Sequence, residues 1–183
     1  MAGRTLTVDM ADDDLIPAWQ TVIELAAIGI AERLTLVGGL MVADHLPSRM
    51  QPRLARRPAF PAPSGEQAIR RRDSYRLIFA SGAVAEGGVP DELGALVAKG
   101  AAYQVDRRDR ERHLDDAAVL LASVGDASVL DYDSMSRNDR RRIAGVSAQL
   151  ADERHRAWTN LDPPDRGQAR FNLALITRSL TAG

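Results

Sequence analysis

Ser74 to Tyr103 reads SYRLIFASGAVAEGGVPDELGALVAKGAAY, and this stretch decides the fold class. Ser74 to Ala80 and Ala83 to Glu86 are β-prone runs on either side of Ser81-Gly82, which predicts a hairpin. Pro90-Asp91-Glu92 then opens a helix, with proline and acids where a helix start favours them. Its apolar face is Leu93, Leu96, Val97, Gly100, Ala101 and Tyr103. Strands followed directly by a helix make the chain a mixed α/β protein, of the α+β kind.

Downstream the sequence turns helical. A charged turn from Asp106 to Asp109 precedes a helix over Arg110 to Val124, a second over Ser134 to Glu153 and a third over Asp165 to Leu180, after Pro163-Pro164. Upstream, Asp12 to Asp14 head an apolar series at helical spacing (Leu15, Ile16, Trp19, Val22, Ile23, Ala26, Ile30), so residues 13–31 are expected to be a helix. Leu34-Thr35-Leu36-Val37 reads as a short strand running into a tight turn at Gly38-Gly39. Prolines 47, 52, 58, 61 and 63 leave residues 47–65 room for at most a short helix. The expected organisation is an α/β domain over residues 1–90 and a helical, bundle-like region over residues 91–183.

Composition narrows the function classes. A chain of 183 residues, 45% hydrophobic, can bury one sizeable core. No stretch approaches the roughly 18 to 20 apolar residues that span a bilayer, and the start carries Arg4 and Asp9, so a cytoplasmic protein without a membrane partner is expected. Without cysteine there is no disulfide or thiolate site, and any metal would need carboxylate, histidine or water ligands. Aromatic residues at 4% give little support to single-strand binding by base stacking. Eight arginines between Arg49 and Arg76 face only Glu66 and Asp73, so this stretch is either a solvated surface or a contact for nucleic-acid phosphates.

Two motifs carry potential chemistry. A strand ending in Gly38-Gly39 lacks Cβ atoms at its turn, so backbone N–H groups can approach a triphosphate. Of the 24 basic side chains only Lys99 is a lysine, a compact point charge suited to phosphate. A helical hairpin through the charged turn can bring Lys99 beside an aspartate of Arg112-His113-Leu114-Asp115-Asp116. Asp106, Asp109, Asp115 and Asp116 with His113 form a conceivable metal set, but Arg107, Arg108, Arg110 and Arg112 among them point to a salt-bridged surface, with His113 a surface residue near a helix start.

The order of these motifs, LTLVGG(38–39)LMV, then PDELGALVAK(99)GAAY, then RDRERHLDD(116), resembles nucleotidyltransferases of the abortive-infection AbiEii kind. That family includes toxins of toxin–antitoxin pairs, some of which transfer nucleotides to tRNA. The resemblance covers residues 13–125 and implies that Gly38, Gly39 and Lys99 bind the nucleoside triphosphate, with Lys99 and Asp116 in the catalytic site. It implies Mg²⁺ and a nucleoside triphosphate as cofactors, and tRNA or a cognate antitoxin protein as partners.

One departure from the family is marked. Such enzymes follow the Gly-Gly turn with a helix and a strand bearing Asp-x-Asp, and take a third carboxylate from a later strand; together these hold Mg²⁺ against the triphosphate. Between Gly39 and Arg76 the acids are Asp44, Glu66 and Asp73, none in an Asp-x-Asp. Leu40 to Pro47 looks like the segment after the third carboxylate, joined directly to Gly39, which an internal deletion would explain. The expectation is a nucleotidyltransferase-like protein with impaired catalysis; the alternatives are an active transferase using Asp44 and Asp116, or an RNA- or protein-binding module.

Overall fold

A computed structural model describes residues 4–8, 16–27, 35, 65–79 and 81–181. They form a mixed α/β protein with a helical C-terminal half, and the chain divides into two compact units, one ending at Gly94 and the other running on from Ala95.

In the first unit three strands lie in the order β1 (Arg4–Val8), β2 (Arg72–Phe79), β3 (Val84–Pro90). Strands β2 and β3 are the expected hairpin, longer at the open end and pairing antiparallel from Ile78 opposite Val84 to Arg72 opposite Pro90. Gly82 has φ +82°, a left-handed conformation that a residue without Cβ adopts freely, and its N–H donates to the carbonyl of Phe79 at 2.8 Å. Along β2 the buried residues are Tyr75, Leu77 and Phe79, while Ser74 and Arg76 face water: the alternation that a one-sided sheet requires. Helix α1 (Ile16–Ala27) matches the described part of the expected N-terminal helix, and it buries Trp19 edge-on to Phe79, ring centroids 5.8 Å apart.

Strand β1 was not expected, and it pairs parallel with β2 from Arg4 opposite Tyr75 to Val8 opposite Phe79. Of the expected strand over Leu34–Val37, Thr35 is the described residue; it makes a parallel bridge to Gly88, and its Oγ1 accepts from Arg72 Nη1 at 3.0 Å. Gly38, Gly39, Asp44 and the proline-rich residues 47–64 lie outside the described residues. Helix α2 (Gly65–Arg70) leads into β2.

Helix α3 (Glu92–Val105) begins one step later than its proline suggests, because Pro90 closes β3 and Asp91 is the cap. Asp91 Oδ1 accepts the N–H of Gly94 at 2.7 Å, and the same carboxylate takes a forked pair of contacts from Arg71, 3.2 Å from Nε and 2.9 Å from Nη2. Arg71, one of the eight clustered arginines, is thus spent on fastening the hairpin base to the helix start.

The second unit is built around α4 (Arg110–Ser123), which buries Leu114, Ala117, Ala118, Leu120 and Leu121. A helix apolar on so much of its circumference must be surrounded. Around it pack α5 (Arg137–Leu150), a 3₁₀ turn over Arg156–Asn160 that buries Trp158, and α6 (Pro163–Thr181). Helix α5 starts at a capping box, with Ser136 and Asp139 each accepting from the other's backbone N–H. The C-terminal end of α4 is closed from outside itself: the wholly buried Asn172 of α6 donates to the carbonyls of Leu121 at 2.9 Å and Val124 at 2.7 Å. The 3₁₀ turns at 127–129 and 156–160 and the short helix α2 were not expected, and α3 to α6 run within a few residues of expectation. No helix among the described residues is long and apolar enough to cross a membrane.

Candidate functional site

The charged turn between α3 and α4 is organised by one carboxylate. Asp106 Oδ1 accepts the N–H of Arg108 at 2.8 Å and of Asp109 at 3.3 Å, which folds the chain back on itself. Arg110 reinforces the reversal: its Nε donates to the carbonyl of Tyr103 at 2.8 Å, and its guanidinium lies over the Tyr103 ring, 3.9 Å from the centroid. The reversal sets α3 and α4 side by side, with Lys99 on one and Asp116 on the other.

Lys99 Nζ lies 2.5 Å from Asp116 Oδ2, and the two residues are 4% and 6% exposed. The sequence singled out both, and the structure brings them together. An ammonium held by a carboxylate in an enclosed setting is oriented as well as neutralised, and a phosphate entering there would compete with Asp116 for the same donor.

His113 departs from its expected role as a surface residue. It sits one turn before Asp116 with its side chain 18% exposed, and its Nε2 is 3.1 Å from Asp106 Oδ2. Burial lowers its pKa below the imidazole norm, the Lys99 charge adds to this, and Asp106 and Asp116 oppose it. The N–H bonds, led by that of Arg108, hold Asp106 below the ordinary carboxylate range, so Asp106 accepts and His113 Nε2 carries the proton. The Nδ1 lone pair is left buried, without a hydrogen-bond partner among the described residues. A neutral imidazole with an unused lone pair, beside a lysine and an aspartate, is chemically equipped to accept a proton or a donor group. The one signal of this juxtaposition along the chain is the spacing of His113 to Asp116, three residues apart on one helix face.

The other aspartates of the motif point elsewhere. Asp115 meets Arg156 Nη2 at 2.9 Å on the side of the 156–160 turn, where burial raises its pKa and Arg156 acts against that rise. Asp109 stands at the start of α4 without a side-chain capping bond. The conceivable metal set of Asp106, Asp109, Asp115, Asp116 and His113 is therefore dispersed, and among the described residues no three His, Asp or Glu side chains are grouped to hold a metal ion. Of the clustered arginines, Arg70, Arg72 and Arg76 are exposed, with Arg72 in contact with Thr35, whereas Arg71 is half-buried against Asp91.

Comparison with protein-family models, curated proteins and solved structures finds no match to this chain.

Proposed function

We propose that this chain is a nucleotidyltransferase-like protein, related to the toxin–antitoxin nucleotidyltransferases, whose catalysis is impaired because the metal-binding carboxylate pair is missing. The observation that carries this reading is the 2.5 Å approach of Lys99 to Asp116, the two residues that the resemblance assigns to the catalytic site. In this reading Gly38 and Gly39 keep the role in phosphate binding that the resemblance gives them, the Lys99 ammonium contacts phosphate as a point charge, and Asp116 aims that ammonium. Mg²⁺, when bound to an active transferase of this kind, supplies charge neutralisation of the triphosphate and activation of the attacking hydroxyl. With no Asp-x-Asp between Gly39 and Arg76, this chain has lost the means to place it. A tRNA or a cognate antitoxin protein is the partner of this remnant.

The test is incubation of the purified protein with Mg²⁺, labelled nucleoside triphosphates and total tRNA. The expected outcome is nucleotide retention without transfer of label; transfer that Lys99→Ala or Asp44→Ala abolishes would establish an active enzyme with atypical carboxylates.

A second reading is supported by the enclosure of the pair. Residues only 4% and 6% exposed are placed as a staple joining α3 to α4 would be, in a protein that works as a binding module. Salt-sensitive RNA retention with no nucleotide binding would favour it.

A further inference from the structure

Helices α5 and α6 leave a groove of about 900 Å³ between them, lined on one wall from Arg140 to Ala151 and on the other from Arg170 to Thr181. Its apolar lining is made of small side chains: Ala144 and Ala148 on α5 and Ala174 on α6 are all exposed, with Leu173 beneath. Phe171, 60% exposed, stands one turn from Ala174 on the same helix.

The polar lining of the groove is unbalanced. Arg140, Arg141, Arg170 and Arg178 contribute four positive charges against the single acid Glu153, which is paired with Arg170. Two buried donors on the α5 wall also lack acceptors among the described residues. Ser147, 5% exposed, has no hydrogen-bond partner for its Oγ, although a helical serine can commonly bond its own preceding turn. Arg140 uses Nη2 on the carbonyl of Tyr132 at 2.9 Å and leaves Nη1 buried and unused. Buried donors without acceptors are costly, most of all when one is charged.

We infer that this groove is the docking site for an acidic amphipathic helix of a partner protein. Alanines at i and i+4 let another helix axis come close, which a side chain larger than a methyl would prevent. Each wall runs for roughly 17 Å at the α-helical rise, room for about three turns of an incoming helix. Apolar residues at i, i+3, i+4 and i+7 of that helix fill the alanine floor, and acids flanking them meet Arg140, Arg141 and Arg178. An RNA strand fits the charge but not the alanine floor, and a second copy of this chain would bring its own arginines. The inference is independent of the nucleotidyltransferase reading, since no residue of this groove belongs to that site.

The test uses the full chain and a fluorescein-labelled helical peptide of about twelve residues, with leucines at helical spacing flanked by glutamates. Its fluorescence anisotropy is expected to rise saturably, less so at high salt. Ala148→Trp, which fills the floor, and the exposed-surface pair Arg141→Glu with Arg178→Glu are each expected to weaken binding about tenfold or more. A version with lysines replacing the glutamates is expected not to bind. If Ala148→Trp fails to melt like the parent, Ala174→Trp blocks the opposite wall in its place. Binding that ignores the floor and arginine variants, or no binding of the acidic peptide, would overturn the inference. So would a groove-dependent RNA oligonucleotide complex without peptide binding, or a chain dimer that Ala148→Trp breaks.

Discussion

A lysine ammonium and an aspartate carboxylate that have left water depend on each other. Removing either of Lys99 and Asp116 takes from the other its carboxylate or ammonium partner in a buried setting, so Lys99→Ala and Asp116→Ala should each cost about 3 to 5 kcal/mol in urea unfolding. The double change Lys99→Met with Asp116→Leu replaces both charges by apolar groups and should fall within about 1 to 2 kcal/mol of the parent. Equal losses in the single and double variants would show that the pair has no such dependence. His113 supplies a second residue-scale expectation. Its pKa is lowered in the folded chain, so below about pH 6.5 the unfolded chain takes up the proton first, and stability present above that pH is lost as pH falls. An NMR titration should place the His113 midpoint below about 6.5, and His113→Gln should flatten the stability change between about pH 7.5 and 5.5. Lys99 was legible because it is the single lysine and Asp116 because a hairpin would face it; the enclosure of His113 was not. Its Nε2 is held by Asp106, seven residues away across the turn, and such a contact leaves no trace in periodicity.

Among the elements, legibility followed the range of the interaction. The β2–β3 hairpin and all four long C-terminal helices are local in origin, from glycine at the turn and apolar spacing along the helix, and they were readable. Strand β1 was not: Arg4–Val8 is short, and what makes it a strand is a parallel partner far along the chain. The 3₁₀ turns are equally invisible, being fixed by contacts such as Trp158 Nε1 to the carbonyl of Asp152 at 3.1 Å. Two elements meet at Gly100, where an added Cβ would stand 2.6 Å from the carbonyl oxygen of Arg142 on α5. Backbone cannot yield as a side chain can, so Gly100→Ala should destabilise by about 1 to 3 kcal/mol despite its better helix propensity. A stabilised Gly100→Ala protein would contradict this crossing of α3 and α5. Asn172→Ala removes both donors from the end of α4 and leaves two buried carbonyls bare, an expected loss of about 2 kcal/mol or more, whereas Gln168→Ala beside it should cost less because it is exposed.

At the scale of the whole molecule, an α/β unit is followed by a helical unit, and the candidate chemistry resides at the first helical hairpin of the second. Charge alone said little about this arrangement, since a net −1 conceals arginines tied into structural roles at Arg71 and gathered around a groove at Arg140, Arg141 and Arg178. The nucleotidyltransferase reading rests on motif order and on one ion pair, so its decisive test must separate the pair's chemistry from its contribution to folding. The apolar double variant, Lys99→Met with Asp116→Leu, makes that separation. Binding of a fluorescent nucleoside triphosphate is measured for parent and double variant, each with a chelator to remove Mg²⁺. Saturable, chelator-insensitive binding by the parent is expected, weakened about tenfold or more in the equally folded double variant. No binding by the parent, or equal binding by both proteins, would contradict it.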